Sequence, residues 1–210
     1  MILAPHNAEV RELNEEILQL LEGEPQQFLS ADRVILEEGA DPADEEPVPI
    51  EVLRAIEDPG SAPGELNLKV GCPVILLRNL DPTRGLCNGT RLVITRMGGR
   101  VLEARVLGGE HDGDVVMIPR IAIPPSTSTT THSFMFMRIQ FPLRLAFALS
   151  INKAQGQSVR YVGINLRSSV FSHGQLYVAL LRATCSRNIK VLLADEEPLT
   201  ANVVYDEVLI

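Results

Sequence analysis

The sequence predicts an α/β fold in which two α/β segments flank a small inserted β domain. Three observations predict it. A short apolar run at residues 2–4 leads through a turn into apolar residues at helical spacing. Between Leu66 and Ile123 the pattern changes to short strands punctuated by glycines. From Phe134 the alternation of strand and helix returns. The 210 residues suffice for one ordinary domain or two small ones, and 45% hydrophobic content builds a mostly aliphatic core, since only 4% is aromatic.

Taken in order, Ile2-Leu3-Ala4 reads as a buried strand. Asn7 is placed to cap a helix, with Glu9 and Glu12 near its positive end. Val10, Leu13, Ile17, Leu20 and Leu21 give that helix one apolar face, and Gly23 and Pro25 end it. A chain opening directly in a buried strand leads us to expect further residues upstream. Phe28 to Ile35 reads as another strand. Residues 37–58 hold nine acids against one base, Arg54, with Pro42, Pro47 and Pro49 among them. That composition describes a solvated acidic loop with one helical turn at Ile50 to Ile56. It lacks the residue order of a calcium loop.

In the insert, Val70 and Val74 to Leu77 form a strand, and Asn88-Gly89 is a tight-turn signal. Arg91 to Thr95 and Val101 to Val106 alternate around Gly98-Gly99 as a hairpin, and Val115 to Pro119 follows as a further strand. Strands at this spacing describe a small barrel. The Thr-rich run after Pro124 reads as a connector or hairpin tip. Leu145 to Ser150 and Tyr161 to Leu166 then read as strands, Leu176 to Ala183 as a helix, and Ile189 to Leu193 as a last strand. The domain boundaries read from this pattern are 1–65, 66–124 for the insert, 125–137 for the connector and 138–210.

Composition excludes several functions. No apolar run is long enough to span a bilayer, and the start lacks the pattern of a secretory signal. Cys72, Cys87 and Cys185 are odd in number and without C-x-x-C spacing, which argues against a disulfide framework or a zinc site and suits a reducing compartment. No Gly-Lys dipeptide occurs, so the chain contains no P-loop. The strand ending in Asp195-Glu196 is read as running into a surface loop, not as a metal site. The net charge of −8 disfavours a nucleic-acid partner only on average. From Val115 to Ala194 there is no acid and there are nine bases: Arg120, Arg138, Arg144, Lys153, Arg160, Arg167, Arg182, Arg187 and Lys190. A stretch of +9 within a chain of −8 leaves −17 for the rest. Such asymmetry points to an anionic partner.

Two blocks in that stretch carry the chemistry. Asn152-Lys153-Ala154-Gln155-Gly156-Gln157-Ser158 offers a point charge, two amide donors and a glycine that permits close backbone approach. It reads either as a phosphate grip or as an ordinary turn after a strand. In the second block, Ser172-x-x-Gln175 has capping-box spacing, so Gln175 is either a cap or a donor. Tyr177 and Leu180 are expected to face the core. Arg182 ends an almost wholly apolar helix. It is either paired with a carboxylate or aimed at an anion, and no acid in its own stretch offers the first.

These residues carry a resemblance. Residues 2–7 with their helix, Gly71-Cys72-Pro73-Val74-Ile75-Leu76-Leu77-Arg78-Asn79-Leu80, Gly85-Leu86-Cys87-Asn88-Gly89-Thr90-Arg91-Leu92, Phe141-Pro142-Leu143, the 148–157 block and Gly174 to Leu180 occur in one order. Together they closely resemble the C-terminal half of the PIF family of superfamily-one DNA helicases. Asn152 rather than His before the lysine is closer to the helicases of Helitron transposons and their cellular relatives. The resemblance implies the second of two RecA-like domains, of P-loop NTPase type, interrupted by an SH3-like β-barrel. It implies a complete enzyme that uses ATP and Mg²⁺ and moves 5′ to 3′ on single-stranded DNA. In it, Asn152, Lys153, Ala154 and Gln157 would contact the DNA, Gln155 and Gly156 the nucleotide, and Arg182 would be the arginine finger. The P-loop domain would lie in a missing N-terminal partner, so this chain alone would bind neither ATP nor metal and would be a fragment or degenerate copy. It implies an intracellular place, nuclear or mitochondrial in a eukaryote, and work in repair, recombination, telomere maintenance or transposition. Two positions depart from the family: Ala154 and Leu181 stand where it has serine, so neither supplies a hydroxyl. The alternative reading is a non-enzymatic module that holds single-stranded DNA or a helicase partner.

Overall fold

In the computed structural model of the chain, the described residues are 1–35, 48–56, 60–124, 134–194, 199–205 and 207. Most of the acidic segment, residues 125–133 of the Thr-rich run, and Asp195 and Glu196 lie outside them. The elements are β1 (Ile2–Ala4), α1 (Asn7–Leu20), β2 (Gln26–Leu29), β3 (Ala31–Ile35), α2 (Ile50–Ala55), β4 (Glu65–Leu68) and β5 (Pro73–Leu76). They continue with β6 (Arg91–Met97), β7 (Val101–Leu107), β8 (Val115–Pro119), β9 (Ile121–Ile123), β10 (Met135–Gln140) and β11 (Leu143–Leu145). The last are β12 (Ala148–Ser150), β13 (Val162–Leu166), α3 (Gln175–Leu180) and β14 (Ile189–Leu193), with short 3₁₀ turns at Pro82–Arg84, Ile151–Ala154 and Ser186–Asn188.

Two compact units result. The first comprises Met1–Leu20 and Ala146–Ile210, the second Leu21–Leu145. The second takes in more chain than the 66–124 segment that strand spacing marks out. The expected strand Leu145 to Ser150 is accordingly two strands in different sheets, β11 and β12.

The first unit is built on a parallel sheet in the order β12-β1-β13-β14. Parallel strands bury both faces and read as continuous apolar runs. Leu3, Ala4, Ala148, Leu149, Val162 and Ile164 are all buried there. Helix α1 covers this sheet with the predicted apolar face, of which Val10, Leu13, Ile17 and Leu21 are half-buried, turned so that its centre falls on Asn14 and Leu18. Leu20 is 82% exposed, and the buried positions are Asn14 and Leu18. Asn14 is buried because it completes the edge strand β12. Its Nδ2 donates to the carbonyls of Val10 (2.8 Å) and Ala148 (3.0 Å), and its Oδ1 accepts from the Ala148 N–H (3.0 Å). One side chain thus satisfies both backbone groups of a residue that has no further strand beside it. Replacing Asn14 with leucine should lower stability by about 1–3 kcal/mol, since it strands a buried donor and acceptor. Urea unfolding of the purified chain measures this.

In the second unit β11-β5-β6-β7-β8 form a five-stranded antiparallel sheet. The hairpin at Gly98-Gly99 forms as predicted, closed by Gly98 N–H donating to Val101 O at 3.1 Å. Val70 lies outside β5 and is 53% exposed. Gly71, at φ +88°, turns the chain there before the strand begins. The predicted strand from Phe28 to Ile35 breaks at Ser30. Its halves join different sheets, β2 with β4 and β3 in the order β3-β10-β9. Ser30 N–H donates instead to Gly64 O at 2.8 Å. The connector assigned to 125–137 ends earlier, because Met135 to Met137 already pair with β3.

Cys72 is fully buried, and burial pushes its thiol up from the usual 9.0 to about 11. Cys185 is exposed. Alkylation at pH 8 should therefore modify Cys185 in the native chain and Cys72 only on unfolding, as peptide mapping would read out. The Cys72 contribution to stability is intact below the thiol's ordinary value. It falls as pH rises from there toward 11, because the unfolded chain loses its proton first.

Candidate nucleic-acid interface

Both sequence blocks lie in the first unit, and the structure joins them. After β12 the chain makes the 3₁₀ turn Ile151–Ala154 and reaches Gly156 at φ +81°. A side chain would be strained at that φ, which explains the glycine. A Cβ there would meet nothing within 4 Å, so the backbone around Gly156 is open to an approaching ligand. Asn152, Lys153 and Gln155 are exposed, and Gln157 is half-buried. Ala154 is fully buried, so its side chain has no access to a ligand.

Helix α3 is shorter than expected and differently placed. Its N-cap is Gly174 at φ +72°, and Ser172 makes no side-chain cap. Gln175 is buried, and its Oε1 accepts from Phe171 N–H at 3.0 Å, which holds the loop that enters the helix. The expected capping box does not form, and the buried Nε2 of Gln175 makes no hydrogen bond among the described residues. Tyr177 and Leu180 do not face the core; they are 66% and 40% exposed, and Leu181 beside them is half exposed. Only Gln175 and Ala179 of α3 are buried.

Arg182 follows α3 and takes neither of the two arrangements weighed from the sequence. Its Nε donates to Val178 O at 2.9 Å. Its Nη1 donates to Gln157 O at 3.1 Å and Ala154 O at 3.4 Å. The guanidinium thus grips the carbonyls of the first block. The backbone repeats the link: Val159 N–H donates to Arg182 O at 2.9 Å, and Val159 bridges Ala183 in parallel. No spacing rule in the sequence anticipates this tie, because its partners are main-chain oxygens 25 and 28 residues away.

The nine bases divide between internal and external work. In the second unit, Arg138 is bound to Asp32 at 2.9 Å with both side chains buried. Arg144 donates to Ser61 O at 2.8 Å, and Arg120 donates to Leu29 O at 2.7 Å while lying 5.0 Å from the Phe141 ring. The first unit keeps the other six. Of these, Lys153, Arg160, Arg167, Arg187 and Lys190 are exposed. The basic surface read from the acid-free stretch is therefore concentrated in one unit. Among the described residues no group of His, Cys, Asp and Glu could hold a metal ion, and no helix is long and apolar enough to cross a membrane.

Comparison with known proteins matches this architecture. The family model "DNA helicase Pif1, 2B domain" matches residues 51–97. The chain is 33% identical over 204 residues to the ATP-dependent DNA helicase PIF1 of Xenopus laevis, covering 95% of this chain and 28% of that protein. The chain is similar to the Pif1 helicases. Among solved structures, Pif1 from Candida albicans superposes with a TM-score of 0.66 at 27% identity, over 91% of this chain and 45% of that one. Bacteroides Pif1 in complex with ADP-AlF3 and ssDNA superposes with a TM-score of 0.69 at 22% identity, over 100% of this chain and 43% of that one. The Pif1 likeness thus extends along essentially the whole chain, which spans just over a quarter of the Xenopus protein's length.

Proposed function

We propose that this chain is the DNA-coupling part of a 5′–3′ ATP-dependent DNA helicase. In this reading the first unit is the second RecA-like domain, and the five-stranded sheet of the second unit belongs to an inserted SH3-like barrel. Single-stranded DNA crosses the loop after β12, held by Asn152, Lys153 and Gln157 through largely electrostatic contacts. Ala154 takes part through its backbone only. Gln155 and Gly156 turn toward the nucleotide, and Arg182 serves as the arginine finger on a transferring phosphoryl group. ATP and Mg²⁺ are supplied with a partner domain carrying the P-loop.

The observation that carries this reading is the tie from Arg182 to the Ala154 and Gln157 carbonyls. A displacement of the loop by DNA moves the acceptors of the guanidinium directly, which is what coupling a DNA track to a nucleotide requires. The exposed bases of the first unit supply the salt-sensitive attraction. The family's names and the nucleotide and ssDNA in the Bacteroides complex add support.

The test uses the purified chain alone. Fluorescence anisotropy with labelled oligothymidylate should show binding that weakens steeply with salt and is weakened further by Lys153→Ala. The same preparation should show no DNA-stimulated ATPase, since the sequence has no P-loop. Robust turnover by pure chain would sink the assignment. A second reading, a binding module without catalysis, is favoured by the same hydrogen bonds, since Arg182 is engaged by carbonyls and not held open. It predicts that an added P-loop domain gains nothing from this chain.

A further inference from the structure

The outward face of the five-stranded sheet in the second unit carries bases that the reading above does not use. Its inward face is the alternating set Leu92, Ile94, Leu102, Ala104, Val106, Val116 and Ile118, all buried. The intervening residues therefore point the other way. In the ladder, Arg91 stands opposite Leu107 and Ile75, while Arg105 stands opposite Val93 and Val115. Arg91 and Arg105 are thus diagonal neighbours on adjacent strands, a separation of about 7–8 Å that long side chains bridge.

Neither guanidinium has a partner among the described residues. The Nε of Arg91 is buried and makes no hydrogen bond, and burial pulls its pKa below the ordinary value. Arg105 is exposed. The carboxylate on the same face of these strands, Glu103, already accepts from Thr95 Oγ1 at 2.7 Å. A half-buried cation without a counter-charge is costly, and such groups are ordinarily paired. Two guanidinium forks beside one another match the oxygens of a phosphate diester.

We propose that Arg91 and Arg105 form a seat for a backbone phosphate of DNA, a second contact separate in sequence from the loop at 152–157. The proposal rests on the reading of the chain as a DNA-binding part of a helicase. Its consequence is that the second unit contributes affinity of its own and does not merely space the elements of the first.

The test measures binding of the full chain to labelled oligothymidylate as a function of salt, for the wild type and for Arg91→Gln, Arg105→Gln and Lys153→Gln. Glutamine keeps donors and bulk while removing charge. Each seat variant should weaken binding and reduce the slope of log K against log salt by about 0.7, the value for one single-strand phosphate. The double variant should reduce the slope by no more than about 0.7 in all, because the two guanidinium groups share one phosphate. Arg105 is exposed, so Arg105→Gln remains informative even where Arg91→Gln unfolds the sheet, which circular dichroism would report. Unchanged slopes in both seat variants, alongside a reduced slope in Lys153→Gln, overturn the seat and leave the helicase reading standing. Reduced slopes in the seat variants with none in Lys153→Gln support the seat and remove the loop assignment. No binding by the wild type overturns both. Inorganic phosphate, titrated at constant ionic strength, separates the ligand sources. Chemical-shift changes at Arg91 and Arg105 with phosphate, without any effect of the variants on DNA, mean the seat takes free anion and not DNA.

Discussion

Arg138→Met should destabilise the second unit by about 3–5 kcal/mol, the range for removing one partner of a buried ion pair. The reason is the number of groups that this guanidinium satisfies. Its Nε and Nη2 reach both oxygens of Asp32 at 2.9–3.2 Å. Its Nη1 donates to Ile56 O and Ala62 O at 3.0 Å each, and its Nη2 donates to Leu53 O at 2.5 Å. The substitution leaves a buried carboxylate without its counter-charge and takes the donor from the Ile56 and Ala62 carbonyls, while Leu53 O keeps the Ile56 N–H at 3.2 Å. Thermal and urea unfolding read the effect, and a loss below about 1 kcal/mol would show that the network is not what holds α2 to β3 and β10. Adding Asp32→Leu to Arg138→Met should restore only part of the loss. The lone charge is then gone, but the Ile56 and Ala62 carbonyls still lack the donor.

The second large effect concerns Arg182. In an enzyme where this chain follows a P-loop domain, Arg182→Ala should reduce DNA-stimulated ATP hydrolysis by about 10³-fold or more, the scale of an arginine finger. Arg182→Lys should recover little of it, because an ammonium cannot reproduce a planar fork. The same change in the isolated chain removes the donors to Ala154 and Gln157, so the 152–157 loop should exchange its amide hydrogens faster. ATPase within tenfold of wild type would falsify the finger role while leaving the structural tie intact. Leu181 adds a prediction of direction only. It is half exposed beside Arg182 and has no hydroxyl to offer, so Leu181→Ser should not impair turnover.

Much of the fold was legible because its signals are local. The hairpin around Gly98-Gly99, the helix over residues 7–20 and the strand at 189–193 follow from turn chemistry and periodicity within a dozen residues. The face of α1 was legible in part, through Val10, Leu13, Ile17 and Leu21, but not its centre. Asn14 is a polar residue that becomes buried only because the edge of β12, 134 residues away, needs its amide. The break at Ser30 was equally hidden, since Phe28 to Ile35 is a plausible single strand until Gly64 O claims the Ser30 N–H. Charge counting located the basic surface but over-assigned it. Arg138 was counted as external because its partner, Asp32, lies 106 residues upstream of it and outside the acid-free stretch.

The sequence by itself determined the likeness to the Pif1 helicases, the absence of a P-loop and the two blocks, because motif order and residue type are properties of the chain. It also determined that a glycine is required at 156, since the turn there needs a positive φ. Only the tertiary structure decided what those blocks do to one another. Arg182 is fastened to main-chain carbonyls of the Ala154–Gln157 turn, and every residue carries such a carbonyl, so no pattern of side chains could point to the two that were chosen. Packing selects them, by bringing the end of α3 against the turn after β12.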